Sequence, residues 1–277
     1  MDKNLVTLAS SLLICIFHLY RVDAVFNYLN VTCLPEYGNY TEGSIYQQNL
    51  DSLLLNLSSH RSTRAYHNST AGDVPNKVYG LYQCRGDVTQ EVCSECIQDA
   101  TQKIVQGCPL VAEAGAWYDE CMLRYANHSI FSTFEKLPGG YTWSKRNVSD
   151  YHKLAPVLAS TLRSVINGAA PISSRGHFAT KANNWTLFNY VYCLAQCTPD
   201  LTEFDCRDCL TRARSIMVND FNTSIRVAIF YASCQLRYDT TRKFYREIIA
   251  TPPAPSPSNT TVPGNDVLIN DKRKIVP

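Results

Sequence analysis

Apolar residues recur at helical spacing in two well-separated parts of the chain, and each part holds two such patterns. The first patterns are rows of leucines, Leu50, Leu53, Leu54 and Leu57 in one part and Leu154, Leu158 and Leu162 in the other. The second patterns carry Cys96, Ala100 and Ile104, and Cys209, Ala213 and Met217. Such spacing places the side chains on one face of a helix, so each part is predicted to contain two helices.

Strand-like runs lie next to these helical patterns. "KVYGLYQC" and "YVYCLAQC" lead into the second helix of each part, and "AWYDECMLRYA" and "IRVAIFYASCQLRYD" follow it. The closing runs are rich in aromatic and β-branched residues, which is typical of strands. Strands with segregated helices predict an α+β domain in each part.

A repeated cysteine spacing relates the two parts to each other. An offset of 113 residues carries Cys84, Cys93, Cys96 and Cys121 onto Cys197, Cys206, Cys209 and Cys234 without a gap. The same offset carries Gln83 onto Gln196, and the "LRY" that ends at Tyr125 onto the one that ends at Tyr238. A repeat of domain length indicates a tandem duplication. We place the two domains at residues 25–137 and 138–250 and call them copy one and copy two.

Both ends of the chain differ in composition from the two copies. Residues 1–24 carry Lys3, an apolar run and a final "VDA", which is the pattern of a cleaved secretory signal peptide. Residues 251–277 begin with "TPPAPSPSNTTVPG", and this composition predicts an extended, disordered tail. No stretch after the signal approaches the ~20 apolar residues that cross a bilayer, so we expect no membrane span.

Charge and glycosylation motifs narrow the compartment and the class of partner. The net charge is +2 at pH 7, which gives no electrostatic footprint for nucleic acid. Nine Asn-x-Ser/Thr sequons begin at Asn30, Asn39, Asn56, Asn68, Asn127, Asn147, Asn184, Asn222 and Asn259. Together with the signal peptide they predict a glycosylated, secreted protein in an oxidising compartment.

The cysteines suit a metal site, a redox pair or disulfides, and the context favours disulfides. The two CxxC pairs lie in different copies, no histidine recurs between the copies, and each motif carries a third cysteine. We therefore expect no metal and no other cofactor. Cys33 and Cys108 occur only in copy one, and the matching positions of copy two hold Arg146 and Phe221. Because both are missing together, we pair Cys33 with Cys108; the four cysteines shared by the copies allow three connectivities.

The C-x8-C-x2-C motif, with Gln83 before it and "CMLRY" or "CQLRY" after it, resembles the plant ginkbilobin-homologous domain, also called the salt-stress-response/antifungal domain. Two copies behind a signal peptide resemble the cysteine-rich repeat secretory proteins and the ectodomains of cysteine-rich receptor-like kinases. The resemblance covers roughly residues 25–250. It implies, in each copy, a five-stranded antiparallel sheet with two α-helices packed on it. It also implies the bridges Cys33–Cys108, Cys84–Cys93, Cys96–Cys121, Cys197–Cys206 and Cys209–Cys234.

These bridges leave Cys193 over, at the position where the offset places Gly80 of copy one. On a strand, Cys193 and Cys197 share a face but lie about 13 Å apart, which is too far for a disulfide. We therefore predict a buried free thiol. The alternative is an intermolecular disulfide through Cys193 that makes a dimer.

Antifungal members of the resembled family bind mannose through an asparagine, an arginine and an acidic residue. The matching positions hold Leu34, Gly115 and Ala126 in copy one, and Asn147, Ala228 and Asp239 in copy two. Arg226 lies two residues from the arginine position of copy two. We expect no mannose binding of this kind in copy one, and in copy two Asn147, Arg226 and Asp239 are only a weak candidate carbohydrate site.

No catalytic residue is predicted, because the chain has no GxSxG, HExxH, Walker or GxGxxG element and its six histidines show no ligand spacing. The leading hypothesis is a secreted, non-enzymatic binding or signalling module of plant stress or defence, located in the apoplast. Its ligand would be an extracellular protein partner or a cell-wall or fungal glycan. The alternatives are a mannose-binding antifungal lectin and a truncated ectodomain of a cysteine-rich receptor-like kinase.

Overall fold

The computed structural model describes residues 28–173 and 176–246. The signal peptide predicted at 1–24, the tail predicted at 251–277 and the sequon at Asn259 lie outside the described residues. Among the described helices, none has the length and apolar character needed to cross a membrane.

Copy one is a five-stranded antiparallel sheet with two long helices. Its elements in chain order are β1 (Tyr28–Cys33), α1 (Ile45–His60), β2 (Tyr66–Ala71), β3 (Val78–Cys84), α2 (Gln90–Gly107), β4 (Ala114–Tyr118) and β5 (Cys121–Ala126). A short 3-10 helix, Pro35–Tyr37, follows β1. The strand order is β1-β4-β5-β3-β2, and every neighbouring pair is antiparallel.

Copy two repeats this arrangement. Its elements are β6 (Gly140–Trp143), α3 (Tyr151–Ala169), β7 (Phe178–Asn184), β8 (Tyr190–Cys197), α4 (Glu203–Asp220), β9 (Arg226–Phe230) and β10 (Cys234–Asp239). The order β6-β9-β10-β8-β7 is that of copy one, again with antiparallel neighbours. The predicted fold class, an α+β pair of disulfide-stapled domains with five-stranded sheets, is confirmed.

Matching local signals start the second helix of each copy. The Thr89 hydroxyl accepts a hydrogen bond from the backbone N–H of Val92, and the Thr202 hydroxyl accepts one from Asp205. Thr89 and Thr202 are related by the 113-residue offset. Each threonine satisfies one of the N–H groups that a helix leaves free at its first turn, so the cap was duplicated with the domain.

The predicted helix faces form the two cores. All seven leucines of the two rows are less than 8% exposed, and they pack with the buried faces of α2 and α4 and with the strands. Because each of these leucines is buried, each contributes about 2 kcal/mol of hydrophobic stabilisation to its core.

Five disulfides staple these cores, and they are the pairs that the resemblance implied. Copy one has Cys33–Cys108, Cys84–Cys93 and Cys96–Cys121, and copy two has Cys197–Cys206 and Cys209–Cys234. Their Cα–Cα distances run from 5.4 to 6.2 Å, within the range of unstrained bridges. In both copies one bridge joins the end of the third strand, β3 or β8, to the second helix, and the other joins that helix to the start of the last strand, β5 or β10.

An aromatic cluster takes the place of the bridge that copy two lacks. Phe221, at the position of Cys108, packs against Tyr141 and Trp143 of strand β6, with ring centroids 5.0 and 5.1 Å away. Edge strand β6 is thereby attached to the end of helix α4. Aromatic packing therefore does in copy two what the Cys33–Cys108 bridge does in copy one.

The two copies pack on each other through equivalent residues. Trp117 and Phe230, related by the offset, stack with centroids 5.4 Å apart, and both are at most 2% exposed. The Gln83 amide donates to the carbonyl of Cys197 at 2.8 Å, and the Gln196 amide donates to the carbonyl of Cys84 at 3.0 Å. Such reciprocal contacts indicate an approximate two-fold relation between the copies.

The segments that follow β5 and β10, here called crossing segments, also make reciprocal contacts with the other copy. After β5, the backbone N–H of Ser132 donates to Asp200 of copy two at 2.6 Å. After β10, the N–H of Arg246 donates to Asp87 of copy one, also at 2.6 Å. Asp87 and Asp200 are related by the same offset. Each copy thus holds the segment that follows the last strand of the other.

Candidate functional site

A cleft of about 320 Å³ opens where β1 of copy one meets β6, β9 and β10 of copy two. Four aromatic residues line it, namely Tyr28, Trp143, Tyr238 and Phe244. Its charged side chains are Asp119 from copy one and Arg226, Arg237, Asp239 and Arg242 from copy two. Apolar surface with a few convergent charged groups is typical of a ligand site, so we take this cleft as the candidate functional site.

An ion pair between the copies forms the floor of the cleft. The Arg237 guanidinium donates to Asp119 Oδ1 at 2.8 Å and to the Tyr118 carbonyl at 3.1 Å, while Arg237 itself is only 4% exposed. Burial lowers the pKa of Arg237 to about 10, and the Asp119 carboxylate counteracts this shift. Arg237 therefore stays charged at neutral pH, and its Nε has no hydrogen-bond partner among the described residues.

Asp239 ends strand β10 and is only half satisfied. Its Oδ1 accepts from the backbone N–H groups of Thr241 and Arg242, at 2.7 and 3.2 Å, and from the Thr241 hydroxyl. The residue is 1% exposed, and Oδ2 accepts no hydrogen bond from any described residue. A buried carboxylate oxygen without a donor is costly, so a donor brought by a ligand or by water is favoured here.

The two other arginines of the cleft are exposed. Neither Arg226 nor Arg242 makes a side-chain ion pair within residues 28–173 and 176–246. Three arginines against two aspartates leave the cleft with an excess of positive charge. The cleft is thus suited to an anionic group beside an apolar one.

The structure brings two of the three predicted carbohydrate residues together. Arg226 and Asp239 both line the cleft, whereas Asn147 lies outside it, exposed and bonded through Oδ1 to the Thr223 hydroxyl. In copy one the position of the family's arginine holds Gly115, where even a Cβ would collide with the indole of Trp117. The sequence prediction missed Arg237, Asp119 and Arg242, although the repeated "LRY" motif had marked Arg237.

The other predicted site residues lie as follows. Cys193 is fully buried and unbridged. Six sequon asparagines are exposed and two are half-buried; the exposed ones are Asn39, Asn56, Asn127, Asn147, Asn184 and Asn222, and the half-buried ones are Asn30 and Asn68. The two ring nitrogens of the buried His177 lie 3.1 and 3.0 Å from the backbone carbonyl oxygens of Ala169 and Leu201, which act as hydrogen-bond acceptors. That histidine is structural.

Comparisons with known proteins agree with the repeat. A family model for salt stress response/antifungal domains matches residues 32–128 and again 141–241. Cysteine-rich receptor-like protein kinase 25 of Arabidopsis thaliana is 37% identical over 265 residues, which cover 93% of this chain but 38% of the kinase. Cysteine-rich repeat secretory protein 1 of the same plant is 35% identical over 210 residues, which cover 74% of this chain and 60% of that protein. The chain spans little more than a third of the length of that receptor kinase.

Solved structures with the same architecture are tandem DUF26 ectodomains of Arabidopsis thaliana cysteine-rich receptor-like proteins. The PDLP8 ectodomain superposes with a TM-score of 0.66 at 24% identity, covering 78% of this chain and all of that one. The PDLP5 ectodomain gives a TM-score of 0.63 at 26% identity, covering 77% and 99%. With the family model matched twice and these folds alike, the chain belongs to the salt stress response/antifungal family, as a tandem of two such domains.

Proposed function

We propose that this chain is a secreted, non-enzymatic binding module of plant stress or defence signalling that captures a protein or peptide ligand in the cleft between its two copies. The relatives support an extracellular location, since one is named a secretory protein and the solved neighbours are ectodomains. The apoplast is then its place of action.

The observation that carries the proposal is the chemistry of the cleft. Arg226 and Arg242 offer exposed guanidinium groups that make no ion pair with any described residue, and Asp239 Oδ2 offers a buried acceptor in the same cleft. Trp143 and Tyr28 add aromatic surface that is about half exposed, 48% and 47%. An acidic side chain next to an aromatic one, with a backbone N–H for Asp239, would satisfy all of these groups together.

Two other functions share the cleft and are separated by experiment. A mannose-binding lectin would use Asp239 and Arg226 for sugar hydroxyls and Trp143 for stacking. A receptor-kinase ectodomain would use the same cleft for its signal, in line with the 37% identity to a receptor-like kinase. The lectin differs from the proposed module in its ligand, whereas the receptor-kinase ectodomain differs only in being attached to a kinase.

The test places glycosylated protein from a eukaryotic secretory host on an acidic–aromatic peptide array and on a glycan array. We expect peptide binding that weakens with salt, because exposed charges are screened. The double variant Arg226→Ala/Arg242→Ala should weaken binding at least tenfold, since a charge-assisted hydrogen bond contributes about 1.5–3 kcal/mol. Lys181→Ala, which removes an exposed positive charge outside the cleft, is the matched control.

The outcomes are distinct. Mannan binding that is lost in Asp239→Ala would replace the peptide proposal with the lectin. Peptide binding that survives in the double arginine variant would move the ligand away from the cleft.

A further inference from the structure

We propose that Glu113, His128 and Glu135 form a binding site for a divalent metal ion of the zinc class, separate from the cleft. Glu113 directly precedes β4, His128 follows β5, and Glu135 lies in the crossing segment between the copies. Each residue offers one ligand atom, and these atoms all lie within 4.8 Å of one another. The site does not depend on the proposed function.

A buried arginine orients the two carboxylates. Arg124 is fully buried, and its Nη2 lies 2.5 Å from Glu135 Oε2 and 3.5 Å from Glu113 Oε1. One oxygen of each glutamate is therefore engaged, and the other is directed toward His128. Hydrogen bonds from outside the ligand set fix metal-binding carboxylates in this way in known metal sites.

His128 faces both of the remaining oxygens. Its Nδ1 lies 3.7 Å from Glu113 Oε2 and its Nε2 lies 3.3 Å from Glu135 Oε1. The imidazole side chain is 41% exposed, so it has room to turn. Ligands of one tetrahedral zinc ion lie roughly 3.4 Å apart, given Zn–N and Zn–O bonds of about 2.1 Å. A small rotation of the His128 side chain would bring the three ligand atoms, which now lie within 4.8 Å of one another, to the spacing of a zinc site.

The independent sign of a ligand is an unsatisfied buried atom. Glu113 is 2% exposed, yet Oε2 accepts no hydrogen bond from any described residue. The single positive charge of the Arg124 guanidinium faces two carboxylates, those of Glu113 and Glu135. Bound at Oε2, a cation would supply the missing partner and the missing charge.

The donor set and its surroundings point to zinc rather than calcium or magnesium. One imidazole nitrogen with two carboxylate oxygens suits zinc, whereas calcium and magnesium prefer oxygen ligands alone. A cavity of about 350 Å³, lined also by Tyr37, Lys136 and Leu137, adjoins the three residues. It gives access to a fourth position for water or for a side chain of a partner.

A metal here would fasten the crossing segment to the sheet of copy one. The same segment already contacts copy two, because the N–H of Glu135 donates to the Ser233 hydroxyl at 3.1 Å. Strands β4 and β5, the segment and copy two would then be joined through one ion. Zinc should accordingly raise the thermal stability of the whole tandem.

The test titrates zinc chloride into secreted protein that has been treated with a chelator, by calorimetry and by thermal unfolding. We expect one zinc ion per chain and a higher midpoint of unfolding with zinc. His128→Ala and Glu135→Gln should each weaken binding at least tenfold, and Glu113→Gln should do the same. Because His128 and Glu135 are partly exposed, the first two variants stay informative if Glu113→Gln fails to fold.

An exposed histidine pair provides the control. The rings of His60 and His67 lie 4.2 Å apart on copy one and are a rival zinc site. His67→Ala should leave the affinity unchanged. Zinc binding that is lost in His67→Ala and kept in His128→Ala would overturn the proposal, as would the absence of zinc binding by the unsubstituted chain.

Discussion

Gly80 and Cys193 are equivalent residues, and the helix packed on Gly80 explains why copy one has no side chain there. A Cβ at Gly80 would lie 2.8 Å from Leu53 Cδ2 and 3.2 Å from Leu57 Cδ1. This leucine pair leaves no room for a side chain at Gly80, whereas the core of copy two accommodates the thiol of Cys193.

Cys193 should behave as an inert core thiol. Burial raises its pKa, so the thiolate that reacts with alkylating agents is not formed at neutral pH. We expect secreted protein to run as a monomer on a non-reducing gel and to resist iodoacetamide until it is unfolded. A dimer band that disappears in Cys193→Ser would instead support the intermolecular bridge.

At the scale of elements, the sequence predicted the interior strands better than the edges. Strands β3 and β8 are nearly fully buried and gave clear apolar runs. Edge strands β2 and β7, "YHNSTA" and "FATKANN", are mostly polar, and apart from the buried Phe178 their residues are half-buried or exposed, so no apolar pattern marked them. They were expected only from the family resemblance, because pairing with a neighbour rather than their own composition makes them strands.

The aromatic cluster of copy two should be essential where the bridge is missing. Phe221→Ala removes the ring that joins Tyr141 and Trp143 to the end of α4. Because Phe221 is half-buried, we expect a loss of about 2 kcal/mol, somewhat below the usual cost for a core phenylalanine. Chemical denaturation measures it, with Phe188→Ala, at an 88% exposed position of the same copy, as the control. Equal stability of the two variants would contradict the assigned role.

At the scale of the whole molecule, the sequence did not predict the contacts between the two copies. No motif in the sequence indicates a partner for Asp119, and its partner Arg237 lies 118 residues away in the other copy. Gln83 and Gln196 were noted as repeat positions, but their shared role follows only when the two copies face each other. A periodic pattern reports which face of an element is buried and does not report the partner that buries it.

The stack of Trp117 on Phe230 should make the two copies unfold together. Trp117→Ala would leave a cavity at the junction, and we expect a loss of about 3–5 kcal/mol. Differential scanning calorimetry should show one transition for the unsubstituted chain and two for the variant, since the copies retain separate cores. Phe204→Ala, at a 77% exposed position, should keep the single transition. A single transition in Trp117→Ala would mean that other contacts couple the copies.

The reciprocal packing of the copies has a consequence for biosynthesis. Translation at 5–20 residues per second delivers copy two about 6–23 s after copy one, because the offset is 113 residues. During that interval Trp117 has no Phe230 to stack on, and the Gln83 amide has no carbonyl of Cys197. All three bridges of copy one link residues within the half that emerges first, so they are able to close before its partner arrives. Copy one is therefore able to form as an oxidised domain with one apolar face uncovered, and the emergence of its own duplicate ends that exposure.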